Sequence, residues 1–290
     1  MNRKYLYIIL LVLGTAFWGI SFPVTKMAMG SVSQSTFLFY RFLLATIVLS
    51  IVLFKHVKKI NRKALTGGIM LAIPLTFGIH LQTLGIKHTS ASQCAFVAGM
   101  TVVIIPILKL LVYKTTVDLK IWLAAIIALA GLFIISVTDS LSISVGDLYT
   151  IIGAIGFAVY LIKVEQYNES GDILPTIVPM FATCALITLC MAVTDSKAEW
   201  LPRTQDFWVG IGYCALFSTA YMYTVSNVSQ RYIRAEKVAI IYLFEPVFAA
   251  IAAMIILNEH LTWRLVAGGL LIFIGTLIPE INFRKKLAES

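Results

Sequence analysis

Residues 5–27 read YLYIILLVLGTAFWGISFPVTKM, an apolar run without a charge until Lys26. A helix rises about 1.5 Å per residue, and about 20 apolar residues cross a hydrocarbon core about 30 Å thick. The run therefore predicts a membrane-spanning helix. Asn2-Arg3-Lys4 before it could open a secretory leader, but the run is long, contains Trp18 and Pro23 and lacks a small-x-small cleavage pattern. It is read as the first helix of the protein rather than a cleaved segment.

The same reading, carried outward, predicts helices near residues 5–27, 34–54, 65–85, 91–113, 120–138, 147–165, 173–193, 207–228, 236–257 and 262–281. Backbone groups in lipid must be bonded within their own segment, which makes the class all-α. A closed β-barrel would instead show alternating segments of about ten residues. The expected fold is an all-α membrane protein of ten transmembrane helices. Composition agrees: 59% of residues are apolar and 13% charged, with mean hydropathy +0.90, against about 25% charged in soluble domains. Ten spans would use roughly 200 residues, leaving short loops and no room for a soluble catalytic domain.

Charge placement sets orientation, because Lys and Arg concentrate in cytoplasmic loops. With the N-terminus inside, the inner segments hold Arg3, Lys4, Lys55, Lys58, Lys59, Arg62, Lys63, Lys114, Lys120, Lys163, Arg231, Arg234, Lys237, Arg284, Lys285 and Lys286. The outer ends hold only Lys26, Lys87, Lys197, Arg203 and Arg264. Both termini are thus expected in the cytoplasm, with the chain multi-pass in a bacterial inner or plasma membrane. The net charge of +9 belongs to this topology, not to a nucleic-acid face, and the lipid bilayer is the expected macromolecular surroundings. Oligomeric state stays open, and a monomer is compatible with the sequence. Cys94, Cys184, Cys190 and Cys214 lie in apolar stretches without metal-ligand or redox spacing, so no metal and no cofactor is expected.

A shift of 144 positions sets Ala91 on Ala235, Ala95 on Ala239, Ile107 on Ile251, Gly131 on Gly275 and Ile134 on Ile278, with Lys120 over Arg264. Helix and loop boundaries match under the same shift. A five-helix unit has an odd number of crossings, so its copy enters from the opposite face. The expected organisation is therefore two inverted five-helix repeats, residues 1–138 and 139–290, with a solute site near the midplane between them.

Glu245-Pro246-Val247-Phe248-Ala249-Ala250, continuing through Asn258-Glu259-His260-Leu261-Thr262 to Gly268-Gly269 and Gly275, reads as the ending of a second repeat. Trp18-Gly19 with Phe22-Pro23, and Phe37 through Arg41-Phe42, read as the opening of a first. With these residues the chain resembles the drug/metabolite transporter superfamily, specifically its two-repeat, ten-helix members called EamA-type. The first repeat departs from the pattern at Thr101-Val102, where a Glu-Pro pair would stand, and at Thr115, opposite Glu259. The resemblance implies a carrier of small metabolites, most often outward, and does not identify the cargo.

Several residues are candidates for the mechanism. Proline in a spanning helix frees the carbonyl four residues earlier, so Pro23 frees Gly19, Pro106 frees Val102 and Pro246 frees Tyr242. These are candidate hinges, unless neighbouring helices and water re-satisfy the freed groups. Pro106 and Pro246 lie on helices that the shift pairs, which points to the fourth and ninth helices as gating elements. Arg41, Lys109 and Glu245 are charged groups in apolar runs and should face the interior or a wet cavity. Lys109 either snorkels to the headgroups or meets Glu245. Arg41 has no acid at its depth, leaving helix-end carbonyls, water or a solute carboxylate. Glu245 is read as the one deep carboxylate, serving either as a proton or cation site or as an acceptor that holds the Pro246 kink. Trp18, Phe22, Tyr40, Tyr160, Tyr221 and Tyr242 are candidate walls of a substrate cavity, apolar area with hydrogen-bonding tips. His80 is deep as well, either a ligand contact or a satisfied core donor.

Two functions are weighed. A secondary transporter would move a small amphipathic metabolite, such as an amino acid or related compound, by alternating access. A membrane-embedded enzyme or sensor is the alternative, but an enzyme needs clustered carboxylates, ligands or an activated nucleophile. The four histidines, His56, His80, His88 and His260, are scattered, and no enzymatic activity is expected.

Overall fold

The computed structural model describes residues 3–30, 32–136, 144–258 and 263–278, and among them every regular element is helical. In chain order these are α1 (Arg3–Met29), α2 (Gln34–Val52), α3 (Phe54–Val57), α4 (Arg62–His88), α5 (Ala91–Ala98), α6 (Thr101–Leu111), α7 (Leu119–Ser136), α8 (Val145–Ser170) and α9 (Leu174–Thr194). Then come α10 (Gln205–Tyr213), a π-helical segment (Cys214–Tyr221), α11 (Met222–Ser229), α12 (Ala235–Tyr242), α13 (Phe244–Leu257) and α14 (Trp263–Leu277). Residues 259–262 of the motif quoted above, and Arg284, Lys285 and Lys286, lie outside the described residues.

Among the described residues, seven helical stretches are long and apolar enough to cross a membrane. α7 and α14 carry shorter apolar stretches. The rod from α10 to α11 is continuous in sequence but changes its winding in the middle. These three occupy the places of the remaining expected crossings. Side chains such as Ile51, Ile73, Leu111, Ile126, Leu186 and Ile255 point outward and are exposed. An apolar belt of this size on the outer surface is what a bilayer, not water, accommodates.

Caps explain where the helices start. Ser33 accepts a bond from the amide of Thr36, Asn61 from Ala64 and Ser90 from Gln93, each satisfying a donor that a first turn leaves orphaned. Ser144 and Asp147 form a reciprocal capping box on α8. Gly30, with φ +40°, follows the last turn of α1, and Asn258, with φ 55°, ends α13 in the left-handed region.

The expected fourth and ninth helices are each broken rather than continuous. α5 and α12 have 8 residues each, and the 144-residue shift superposes their sequence ranges. The causes differ. Pro246 is the third residue of α13 and cannot donate to the carbonyl of Tyr242, so the chain closes a tight turn at Leu243 and restarts. In the first repeat the break falls at Gly99-Met100, where both amides bond three residues back to Phe96 and Val97. Pro106 sits inside an unbroken α6, and Pro23 inside an unbroken α1. Of the three prolines, only Pro246 coincides with a break.

Packing runs mainly between the halves. The main pairings are α4 with α8 and α9, α2 with α9, α1 with α13, and α7 with α14. The α4–α8 crossing is close because it is lined with glycine. A Cβ on Gly78 would lie 3.0 Å from the carbonyl oxygen of Gly153, and one on Gly156 2.8 Å from that of Pro74. Small residues let spanning helices approach in this way without a hydrophobic drive between them. α1 starts, and α6 and α8 finish, at the end carrying Lys4, Lys109 and Lys163, called here the basic end. α8 therefore starts at the opposite end from α1, as inverted repeats require.

Candidate functional site

The two helix breaks meet at the centre of the protein. Ala98 and Gly99 from the first repeat, and Tyr242, Glu245 and Pro246 from the second, line one small cavity. Its volume is about 30 Å³, room for no more than a few water molecules. A metabolite fits only after the walls separate.

Aromatic rings from four helices cluster at the apolar wall. Trp18 of α1 meets Tyr242 of α12 edge to face at 5.1 Å, Tyr223 of α11 at 5.2 Å and Phe157 of α8 at 6.0 Å. The Tyr242 hydroxyl is bonded to Ser226, which fixes the ring that carries the break. Gln82 of α4 adds an amide to the wall.

Glu245 is the charged residue on this wall. It is 6% exposed, and among the described residues its carboxylate has neither a hydrogen-bond nor an ion-pair partner. A carboxylate that held the Pro246 kink would accept a bond from the chain it holds, and this one accepts none. A carboxyl group without a protein partner is open to bond a group that enters the cavity.

Among the candidate residues, Trp18, Tyr242, Glu245 and Pro246 are brought together at the cavity. Phe22 and Tyr160 are buried in the surrounding core, Tyr160 with its hydroxyl on Asn227. Tyr40 lies away from the cavity, packed on Trp208 and donating to the Trp200 carbonyl. Tyr221 is half-buried, on the ring of Phe17, and donates to the Leu10 carbonyl. His80 stands 3.0 Å from the Gln34 amide nitrogen, a polar pair within the core. Gly19 faces α13: a Cβ there would sit 2.6 Å from the carbonyl oxygen of Glu245 and 2.7 Å from the amide nitrogen of Ala249. Phe157, Gln82 and Gly99 went unread in the sequence. The offset of 144 residues from Leu243 to Gly99 was the signal for the last.

Arg41 has partners that the sequence reading did not include. Its Nε donates to Thr219 Oγ1 at 2.8 Å and its Nη2 to Ser218 Oγ at 3.0 Å. Both hydroxyls belong to the π-helical segment, a form that recurs at functional sites. The guanidinium fork thus ties α2 to the irregular turn instead of facing the cavity. Arg41→Lys leaves one ammonium for two hydroxyls, and charged hydrogen bonds contribute about 1.5–3 kcal/mol each. Its melting temperature in detergent should fall by several degrees; a value equal to wild type would show that the tie contributes nothing.

Lys109 neither snorkels nor meets Glu245. It pairs with Glu165 of α8 and with Glu236 of α12. Glu245 is not the only buried carboxylate among the described residues, since Glu236 and Asp147, in the first turns of α12 and α8, are buried too. Glu165 closes the last apolar run of α8 and Glu236 opens α12, positions that read in sequence as loop-facing.

A broken-helix pair around a small central cavity, in a multi-pass helical bundle, defines a membrane transporter. The chain belongs to the EamA-like transporter family, which matches it over residues 5–137 and again over residues 144–279. An uncharacterized transporter of Archaeoglobus fulgidus is 26% identical over 265 residues, covering 91% of this chain and 82% of its own. The uncharacterized transporter YyaM of Bacillus subtilis is 26% identical over 304 residues, covering 98% and 99%. A protein crystal structure with 12% identity superposes over 100% of both chains with a TM-score of 0.75, which speaks for the fold alone.

Proposed function

We propose that the protein is a secondary transporter that exports a small amphipathic metabolite bearing an amine, such as an amino acid or related compound, by alternating access. The observation that carries this reading is the unpartnered Glu245 carboxylate beside Trp18, Tyr242 and Phe157 in the central cavity. A carboxylate receives an ammonium by charge-assisted hydrogen bonds, and aromatic faces add cation–π attraction when water is excluded. Few other fixed charges are present to replace the hydration shell of a sugar phosphate or a di-anion. Outward direction rests on the family resemblance.

The test is a thermal-shift screen of purified protein against amino acids, amines, nucleobases, vitamins and dianionic metabolites, followed by liposome flux of each hit. Amine-bearing solutes should stabilise and be transported. Selective, saturable transport of a di-anion or a free inorganic cation would overturn the assignment.

The proposed setting is the bacterial inner or plasma membrane, with both termini cytoplasmic and the monomer as the working unit. Lys58 and Lys197 are both exposed, on loops at opposite ends of the bundle. An impermeant thiol reagent added outside cells should label Lys197→Cys and leave Lys58→Cys unmodified. The reverse pattern inverts the orientation.

A further inference from the structure

At the basic end, the start of α4 and the end of α8 leave a groove between them that opens on the outside of the bundle. Lys63, Thr66 and Met70 of α4 line one side and Lys163, Gln166 and Tyr167 of α8 the other, and its volume is about 320 Å³. That is at the lower end of the about 300–1,000 Å³ of small-molecule sites. A Cβ on Gly67 would lie 2.3 Å from Cε2 of Tyr167, so the ring packs against bare backbone. Lys63 Nζ donates to the carbonyl of Ser170 at 2.8 Å, and an ammonium has further donors after that bond. Lys163 is half-buried and has no hydrogen bond or ion pair among the described residues. The two lysines are the charged residues of the lining. Nearby acids are engaged elsewhere: Glu165 on Lys109, Asp172 on Arg231, and Glu169 in the crevice beside Lys109.

Below the groove each helix shows the bilayer an apolar stripe. Ile73 and Phe77 continue the line of Met70 along α4, and Ile152, Ile155 and Val159 lead along α8 to Lys163, all at the three- and four-residue steps that share one helix face. Ile73, Phe77, Ile152 and Ile155 are exposed. α8 has 26 residues, about 39 Å, against a hydrocarbon core of about 30 Å. Lys163 stands about 10 Å from its end at Ser170. The groove therefore lies where headgroups meet acyl chains, with cations above and apolar stripes below. A 144-residue shift sets Phe207 on Lys63 and Gly19 on Lys163, so the corresponding place at the opposite end carries neither charge.

We propose that this groove binds one anionic phospholipid from the leaflet at the basic end. Its phosphodiester accepts hydrogen bonds from Nζ of Lys63 and of Lys163, while its acyl chains lie on the stripes of α4 and α8. Bonds between an ammonium and a phosphate are charge-assisted, and basic pockets between spanning helices hold anionic headgroups in this way. Charge complementarity selects the occupant. In a symmetric pair, a second copy of the chain would bring the same two lysines against these and repel them. A zwitterionic lipid would bring its own cation beside them. α4 belongs to the first repeat and α8 to the second, so the lipid joins the halves at their glycine-lined crossing without entering the central cavity. The site is independent of the cargo assigned to that cavity.

The test titrates the full chain in detergent with phosphatidylglycerol or phosphatidylcholine and counts bound lipid by native mass spectrometry. One phosphatidylglycerol should be retained, about tenfold tighter than phosphatidylcholine. Lys163→Gln should remove that preference and Lys163→Arg should keep it. Lys55, exposed on α3 at the same end, is the control, and Lys55→Gln should leave the preference unchanged. Lys163 has no protein partner, so Lys163→Gln strands no acceptor and should melt like wild type. If it does not fold, Lys63→Gln repeats the test from the other wall. Equal binding of the two lipids would overturn the site. So would a preference lost equally in Lys55→Gln, the mark of diffuse surface charge. Glycerol 3-phosphate separates the two sources of phosphate: at equal concentration it should fail to displace the lipid, and displacement would overturn the lipid assignment in favour of a soluble anion.

Discussion

Glu245→Gln is expected to weaken binding of an amine solute by about ten- to a hundredfold while leaving the fold intact. The substitution keeps size and one acceptor oxygen but removes the charge. A hydrogen bond to a charged group contributes about 1.5–3 kcal/mol, and about 1.4 kcal/mol is a factor of ten in affinity. The carboxylate lacks a protein partner, so its loss leaves no donor stranded and the melting temperature without solute should hold or rise. Thermal shift with and without the solute found by the screen gives both numbers. If Glu245 instead holds the helix break, Gln should bind and transport normally while Ala fails. If it couples protons to flux, Gln should abolish the pH dependence of transport.

Gly19→Ala is expected to be the most damaging change of a single atom group. The added Cβ would meet the Glu245 carbonyl oxygen at 2.6 Å, the Ala249 amide nitrogen at 2.7 Å and the Phe248 Cβ at 2.8 Å. Two of the three are backbone and cannot swing away, so α1 and α13 must part. Overpacking of this kind costs about 1–3 kcal/mol, and a chain this large loses roughly 2–4 °C of Tm per kcal/mol. Gly212→Ala is the control, because a Cβ there meets nothing within 4 Å. Equal melting temperatures for the two variants would refute the close-crossing account. The shift of α13 also displaces Glu245, so solute binding should fall together with stability.

The crossings were legible because a bilayer demands long apolar runs, and the apolar stretch ending at Met27 satisfies that demand whatever it packs against. The break at Pro246 was legible for a similarly local reason, the missing amide. The break at Gly99 was not, because glycine within an apolar run signals only close packing or a turn until the partner helix is known. Pro106 misled for the same reason: a proline marks a lost bond but not whether the helix yields. Trp18, Tyr242 and Glu245 came from residue chemistry and reached the cavity. Tyr40 and Tyr221 share that chemistry but lie away from the cavity, since the direction an aromatic side chain takes depends on helix rotation. The partners of Arg41 and Lys109 lie far along the chain, on helices whose register no local pattern fixes.

The interleaving of the two halves bears on how the protein is made. The first five helices leave the ribosome with their main partners, α8, α9, α13 and α14, not yet synthesised. At about 5–20 residues per second, the second half follows over roughly 7–30 s. For that interval Gly78, Gly85 and the rest of the α4 crossing face lipid or other proteins of the membrane. A nascent chain arrested after residue 138 should therefore cross-link through α4 to membrane insertion factors, and the cross-links should vanish once α8 has emerged. Cross-links of equal strength before and after would mean that the halves assemble alone first and dock later. A substitution in the glycine-lined crossing would then be felt already during insertion, before the folded carrier exists.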